Sequence, residues 1–303
     1  MKKQKLLIFL STVMLPLTGC KISDFNYNNK DVVISDTLET VSGEKAHVVF
    51  LYGQSNAVGI SSNDYLKKND LDKYNEYLAG YENVYINYIN DYNGNTSDMA
   101  FRKATLGCGC NEVFFGPEMG IAEQMSKAHP SEKTFIIKWA WSGTILKTQW
   151  LDGLRKRGKL YNYAMDFSLK CLDYLKSKGY NLSIDGICWM QGESDAGKNR
   201  PNSYYKDTKA FVAFLRHDLD SYQSSIRFVD AGINEQEGIW KKPEIVNQAK
   251  KKFANESELN FYIDSKALGL DATKEPESGP DLAHFDALSM VKLGNAFGEI
   301  VGK

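Results

Sequence analysis

The chain has 303 residues, with 37 Lys and Arg against 38 Asp and Glu, a formal charge of −1 and 43% hydrophobic residues. That even balance, with no basic stretch standing above it, argues against nucleic acid as a partner. The length suits one large domain with a substantial core, and nothing marks an obligate protein partner.

The N-terminus reads as a processing signal. "MKKQKLLIFLSTVMLPLTGC" carries three lysines, an apolar run from Leu6 to Leu17 and then small residues. This is the pattern of a secretory signal, too short and wrongly flanked for an ordinary transmembrane helix. Its end, "LTGC", resembles the lipobox of bacterial lipoproteins, which implies cleavage before Cys20, lipidation of that thiol and attachment to a membrane. Lys21 follows in place of the Asp that retains lipoproteins in the inner membrane, so the expected location is the outer membrane of a bacterial envelope. Residues 1–19 are thus read as signal peptide, 20–45 as a polar, patternless tether and 46–303 as the folded domain. Loss of three lysines leaves 34 basic against 38 acidic side chains, a formal charge of −4.

Strands and helices alternate from there. "HVVFLY" (47–52) predicts a first strand, 118–128 a helix and "KTFIIKWA" (133–140) a second buried strand. Helical spacing over 158–179 precedes a third strand at "IDGICWM" (184–190). A helix over 203–222, a strand at 226–232, a helix over 243–254 and a fifth strand at 259–264 follow. The last helix spans about 287–301. This rhythm predicts a mainly parallel sheet covered on both faces. Residues 62–114, rich in Tyr and Asn, read as an excursion over the sheet's carboxyl edge, with one extra strand possible at "VYINYI" (84–89).

Residues just after the strands of such a sheet line its ligand crevice. Those positions hold "GQSN" with Ser55, "AWSGT" with Gly143 and "MQGESD" with Gln191, Glu193 and Asp195. "PDLAHFD", with Asp281 and His284, lies before the last helix. A nucleophilic serine needs a base, and the base an orienting partner. Of the four histidines, His47 starts a strand, His129 ends a helix and His217 sits on a charged helix; His284 alone lies in a loop, three residues after an aspartate. Asp286 is the rival partner, although a residue two positions on tends to point away from the ring. Position 57 is Ala, so the Gly-x-Ser-x-Gly elbow of α/β-hydrolases is absent.

"GQSNAVG", "FGPEMG", "KWAWSGTILKTQW", "WMQGESD" and "DLAHF" resemble the ordered blocks of the SGNH hydrolase superfamily, and within it the sialate O-acetylesterase and acetylxylan esterase branch. The resemblance spans residues 48 to about 300. It implies a three-layer α/β/α sandwich with a five-stranded flavodoxin-like sheet, and an O-acetylated carbohydrate as substrate. It makes Ser55 the nucleophile, His284 the base and Asp281 its partner. The amides of Ser55 and Gly143 would form the oxyanion hole, joined by the Gln191 side chain. One departure is Ser142, where relatives often carry a second glycine. Glu193 and Glu118 read as braces between loops.

Two rival functions remain. Glu193 and Asp195 could be the acid pair of a glycoside hydrolase, or the chain could be a non-catalytic carbohydrate-binding lipoprotein. Trp139, Trp141, Trp150 and Trp189 adjoin the blocks, as core or as walls of a sugar subsite. Cys171 and Cys188 read as core. Cys108 and Cys110 lie in "GCGC" without further Cys or His at ligand spacing, so no metal is expected, and the esterase reading requires no cofactor.

Overall fold

A computed structural model of the chain describes residues 32–90, 95–197, 200–236 and 238–303. The signal peptide and Cys20 therefore lie outside the described residues. Strand β1 (Lys45–Gly53) leads through one helical turn, α1 (Ser55–Val58), to a short strand β2 (Ser61–Ser62). Helices α2 (Asn63–Asn69) and α3 (Leu71–Ala79) then precede β3 (Val84–Asn90). Two-residue strands β4 (Arg102–Lys103) and β5 (Phe114–Phe115) come before helix α4 (Glu118–Ala128) and β6 (Lys133–Ala140). The rest alternates: α5 (Lys159–Ser177), β7 (Asn181–Met190), α6 (Tyr204–Leu219), β8 (Arg227–Ala231), α7 (Pro243–Ala254), β9 (Asn260–Ile263) and α8 (Ala287–Val301).

The main sheet has seven strands in the order β4-β3-β6-β1-β7-β8-β9, parallel except for β4 at one edge. Five strands were expected. The extra two come from the 62–114 excursion, where the "VYINYI" stretch pairs along β6 and turns back through β4. The same excursion forms α2 and α3, which sequence periodicity does not reveal. Each is too short to show a repeat, and each is started by a side-chain cap, Ser62 on the Tyr65 amide and Asp70 on the Lys73 amide.

β1 is the central strand, and Ala46 through Gly53 are all buried. A parallel strand covered on both faces must be apolar at nearly every position, which is why "AHVVFLYG" lacks polar alternation. The two layers of helices are visible along β7. Gly186 lies against Val301 of α8, while Trp189 packs against Phe211 of α6, with ring centroids 4.5 Å apart and planes tilted by 41°. Three residues apart on a strand means opposite faces. α4 and α8 cover one side together; α5, α6 and α7 cover the other.

The part of the expected tether that is described, from Val32, does not hang free. Leu38 joins the core, the Tyr174 hydroxyl accepts the amides of Thr37 and Leu38, and the amides of Val41 and Gly43 donate to the carbonyls of Lys178 and Gly179. The domain therefore begins some residues earlier than its apolar pattern indicates.

Candidate active site

Register decides what can meet. Gly53, Ala140 and Met190, the last residues of β1, β6 and β7, are paired side by side. The segments "GQSN", "WSGT" and "QGES" therefore leave the sheet at one level, around the strand where the chain order reverses, as ligand crevices in open α/β sheets do. Gly53 makes this possible. It has φ +152°, and a Cβ there would lie 2.0 Å from the Met190 carbonyl oxygen. The chain turns at once, and Ser55 becomes the first residue of α1, 8% exposed. Its amide is one of the first-turn donors that a helix cannot satisfy internally.

His284 and Asp281 lie in the loop before α8. Asp281 Oδ2 is 2.6 Å from His284 Nδ1, and Asp281 Oδ1 accepts the amides of Ala283 and His284 at 2.9 and 3.0 Å. Burial pushes the Asp281 carboxyl up, but the His284 ring and these amides outweigh it and hold the carboxyl below its ordinary range. Asp281 thus remains an acceptor and leaves Nε2 as the ring nitrogen open to a nucleophile. Leu282, between the two, has φ +61°, and its carbonyl is held by Asn234 Nδ2 at 2.9 Å. Asp286 is occupied elsewhere: it caps α8 by accepting the Ser289 amide at 3.0 Å.

Asn56 brings the serine and histidine segments together. Its Nδ2 donates to the Ala283 carbonyl at 3.3 Å, and its Oδ1 accepts the Phe285 amide at 3.0 Å. The residue after the serine thus grips both neighbours of the histidine. Ser55 and His284 share no hydrogen bond among the described contacts, and such bonds commonly tighten only around substrate. Asn56 also donates to Glu193 Oε1 at 2.8 Å. Glu193 is 1% exposed, and burial raises its carboxyl above the ordinary range.

Gly143 carries a φ of +67°, and a Cβ there would meet nothing within 4 Å. Among the described residues its amide has no acceptor. The Trp141 amide donates to the Gly53 carbonyl at 3.1 Å, setting this loop beside Ser55. Gln191 sits beneath both, and here the expected role changes. Its Nε2 lies 2.7 Å from Asp195 Oδ2, 2.8 Å from the Thr144 carbonyl and 3.2 Å from Gln54 Oε1, while its Oε1 accepts the Tyr204 hydroxyl at 3.0 Å. With two hydrogens, three acceptors and no exposure, this amide has nothing left for an oxyanion. Gln191 instead props the loop that carries Gly143.

Asp195 also accepts the Leu146 amide at 2.8 Å, and burial pushes its carboxyl up to about 6. Both acids of the glycosidase alternative are at most 1% exposed, with Asp195 held by Gln191 and Leu146 and Glu193 held through Oε1 by Asn56, and burial keeps them out of reach of a sugar. Glu118 is deeper still, accepting the Gly116 amide at 2.7 Å and the Lys138 ammonium at 2.8 Å. Lys138 binds the Val58 and Cys108 carbonyls as well, joining three loops. The four tryptophans near the blocks are at most 1% exposed and pack on one another, so they are core and wall no subsite. Cys108, Cys171 and Cys188 are free thiols.

A mainly parallel α/β/α sandwich carries the Ser55 segment and the Asp281–His284 loop beyond the carboxyl ends of its central strands, the arrangement of an SGNH-type fold. The chain belongs to the carbohydrate esterase family of sialic acid-specific acetylesterases, whose pattern matches residues 45–303. It is accordingly a carbohydrate O-acetylesterase. A protein from Arabidopsis thaliana has a similar structure, with 20% identity and a TM-score of 0.62 over 84% of this chain and 97% of that one. NanS is similar at 14% identity and a TM-score of 0.63, covering 86% and 98% of the two chains. A carbohydrate acetylesterase from Xanthomonas citri is 12% identical with a TM-score of 0.56, over 84% of this chain and 55% of that one. Among curated proteins, none matches the sequence.

Sequence reasoning missed Asn56 and Asn234 as separate participants. Asn56 was readable only as part of the serine's block. Asn234 carries no sequence signal, because its partner Leu282 is distant in the chain.

Proposed function

We propose that Ser55 attacks the carbonyl carbon of a sugar O-acetyl ester while His284 Nε2 takes the hydroxyl proton. The oxyanion that forms is met by the amides of Ser55 and Gly143. Collapse returns the proton from His284 to the sugar oxygen and leaves an acetyl group on Ser55. A water molecule, deprotonated by the same ring, then releases acetate and restores the serine. Asp281 fixes the ring so that Nδ1 carries its hydrogen and Nε2 is the base. The observation that carries this reading is the Asn56 clamp on Ala283 and Phe285, since it anchors the histidine loop to the residue beside the nucleophile. Within the carbohydrates, an O-acetylated sialic acid is the proposed substrate, supported by the family description.

Ser55→Ala and His284→Ala should each lower acetate release by about 10⁴-fold with the circular dichroism spectrum unchanged, because the members of such a unit fail together. Asp281→Asn should also cost heavily. Near-normal turnover in Ser55→Ala would remove the serine mechanism. Faster acetate release from acetylated xylan than from O-acetyl sialic acid would replace the sugar while leaving the mechanism intact.

The mature protein is proposed to be lipid-anchored through Cys20 at the outer membrane, supported by the lysines, the apolar run and "LTGC". Several acyl chains on one cysteine anchor stably. Cys20→Ser should abolish fatty-acid labelling, and equal labelling of both proteins contradicts the anchor.

A further inference from the structure

The sequence separates His47, His129 and Asp185 widely, yet the fold brings them to the amino-terminal edge of the sheet. One donor atom from each lies within 4.8 Å of the others. His47 is the third residue of β1, His129 ends α4, and Asp185 is in β7. Ser55 lies beyond the opposite end of β1, about 20 Å away at ~3.3 Å per residue. The cluster therefore takes no part in ester hydrolysis.

Its geometry is specific. The His47 and His129 rings are stacked, with centroids 3.6 Å apart and planes 15° apart. Asp185 Oδ2 is 2.7 Å from His47 Nδ1, and Glu132 Oε2 is 2.5 Å from His47 Nε2. The same Glu132 oxygen is 3.9 Å from His129 Nδ1. The backbone is shaped to this arrangement. The β1–β7 register shifts between Val48 and Val49, so that Ile184 and Gly186 have partners on β1 and Asp185 has none. A bulge that re-aims one side chain is a device typical of functional positions. His47 is 3% exposed, while the side chains of His129 and Glu132 are 21% and 33% exposed, which gives an ion a path from solvent.

We propose that His47, His129 and Asp185 bind a divalent transition metal of the zinc type, with water in the fourth position and Glu132 holding the other His47 nitrogen. Two imidazoles with one carboxylate form a borderline donor set that suits zinc, nickel or copper and is poor for calcium or magnesium. Donors each ~2.1 Å from a tetrahedral zinc stand about 3.4 Å from one another. The donor atoms lie within 4.8 Å of one another; because an imidazole binds a metal in its own ring plane, the partly exposed His129 ring turns out of its stack on His47 to complete the site. The metal replaces the hydrogen on His47 Nδ1, the nitrogen facing Asp185, releasing a proton to solvent, and Glu132 on Nε2 then fixes the ring. The ion would tie β1, β7 and the turn between α4 and β6 together.

The competing reading is a metal-free network in which the carboxylates bracket a charged His47, and one experiment separates them. Untagged protein is stripped with a chelator and titrated with Co²⁺, then with Zn²⁺, and its melting temperature is followed. The expected result is saturation at one equivalent with visible tetrahedral Co²⁺ absorption, displacement by Zn²⁺ and a rise in melting temperature. Affinity should drop about tenfold or more in His129→Ala and Asp185→Asn, and both variants should keep their esterase rate. His129 is partly exposed and Asp185→Asn preserves shape, so folding is retained. Non-saturating binding, equal binding by wild type and both variants, or a melting temperature indifferent to Zn²⁺ would each overturn the site.

Discussion

Gln191 shows how a single amide can be read two ways until its partners are known. As an oxyanion donor, its loss would lower kcat by about 10²–10³ and leave stability alone. As a prop, its loss leaves the buried Thr144 carbonyl without a donor and the buried Asp195 carboxylate with the Leu146 amide but no side-chain donor. An unsatisfied buried acceptor costs about 1–3 kcal/mol, more when charged. Gln191→Ala should therefore lower the melting temperature clearly, with turnover per folded molecule falling by less than about tenfold. A variant that melts like wild type and loses kcat a hundredfold would return Gln191 to the oxyanion hole. The buried backbone of the site is tied by similar commitments. Lys250, fully buried, donates to the Gln191 and Ala231 carbonyls at 2.6 and 2.7 Å and to Asp230 at 2.5 Å, whose carboxyl burial pushes up to about 6.

The α4–α8 crossing sets the position of the loop ahead of α4. Gly120 and Gly294 face one another there: a Cβ on Gly294 would lie 2.5 Å from the Pro117 carbonyl oxygen and 2.9 Å from the Gly120 Cα. Neither contact can relax by moving a flexible side chain, because both atoms are backbone. Gly294→Ala should cost about 1–3 kcal/mol by overpacking, which is about 2–4 °C in melting temperature per kcal/mol for a domain near this size. An unchanged melting point would mean that the two helices separate freely. The consequence for function is positional. Pro117 precedes Glu118, whose carboxylate holds the Gly116 amide and Lys138, and Lys138 in turn fixes the Val58 carbonyl at the end of α1.

Over the whole molecule, the segment from Val32 to Glu44 behaves as part of the domain. Gly179 has φ +91°, and a Cβ there would come within 2.0 Å of the Val41 carbonyl oxygen, so the strap lies directly on the chain after α5. Burying one leucine contributes about 1.5–3 kcal/mol and each hydrogen bond about 1. A chain beginning at Lys45 should therefore melt several degrees below one beginning at Cys20. Its turnover should be unchanged, since the strap lies far from the carboxyl edge. Coincident melting curves would make the segment a spacer after all.

Much of this protein is fixed locally. Strands buried on both faces must be continuous apolar runs, and "HVVFLY", "KTFIIKWA" and "IDGICWM" announce themselves for that reason. Their ends place Ser55, Gly143 and Gln191 on one edge, and the Asp281–His284 pair is legible because it lies within one loop. Tertiary structure decided what depends on distant partners. β3 became a main-sheet strand by pairing with β6, and the short α2 and α3 were set by caps and packing. Gln191 lost its expected role to Asp195 and Thr144, and Asn234 gained one through Leu282. His47 and His129 read separately as a strand start and a helix end; only the return of α4 to the start of β1 stacks their rings. Local patterns depend on neighbours in sequence, whereas a side chain's hydrogen-bonding capacity is spent on whichever groups the fold delivers.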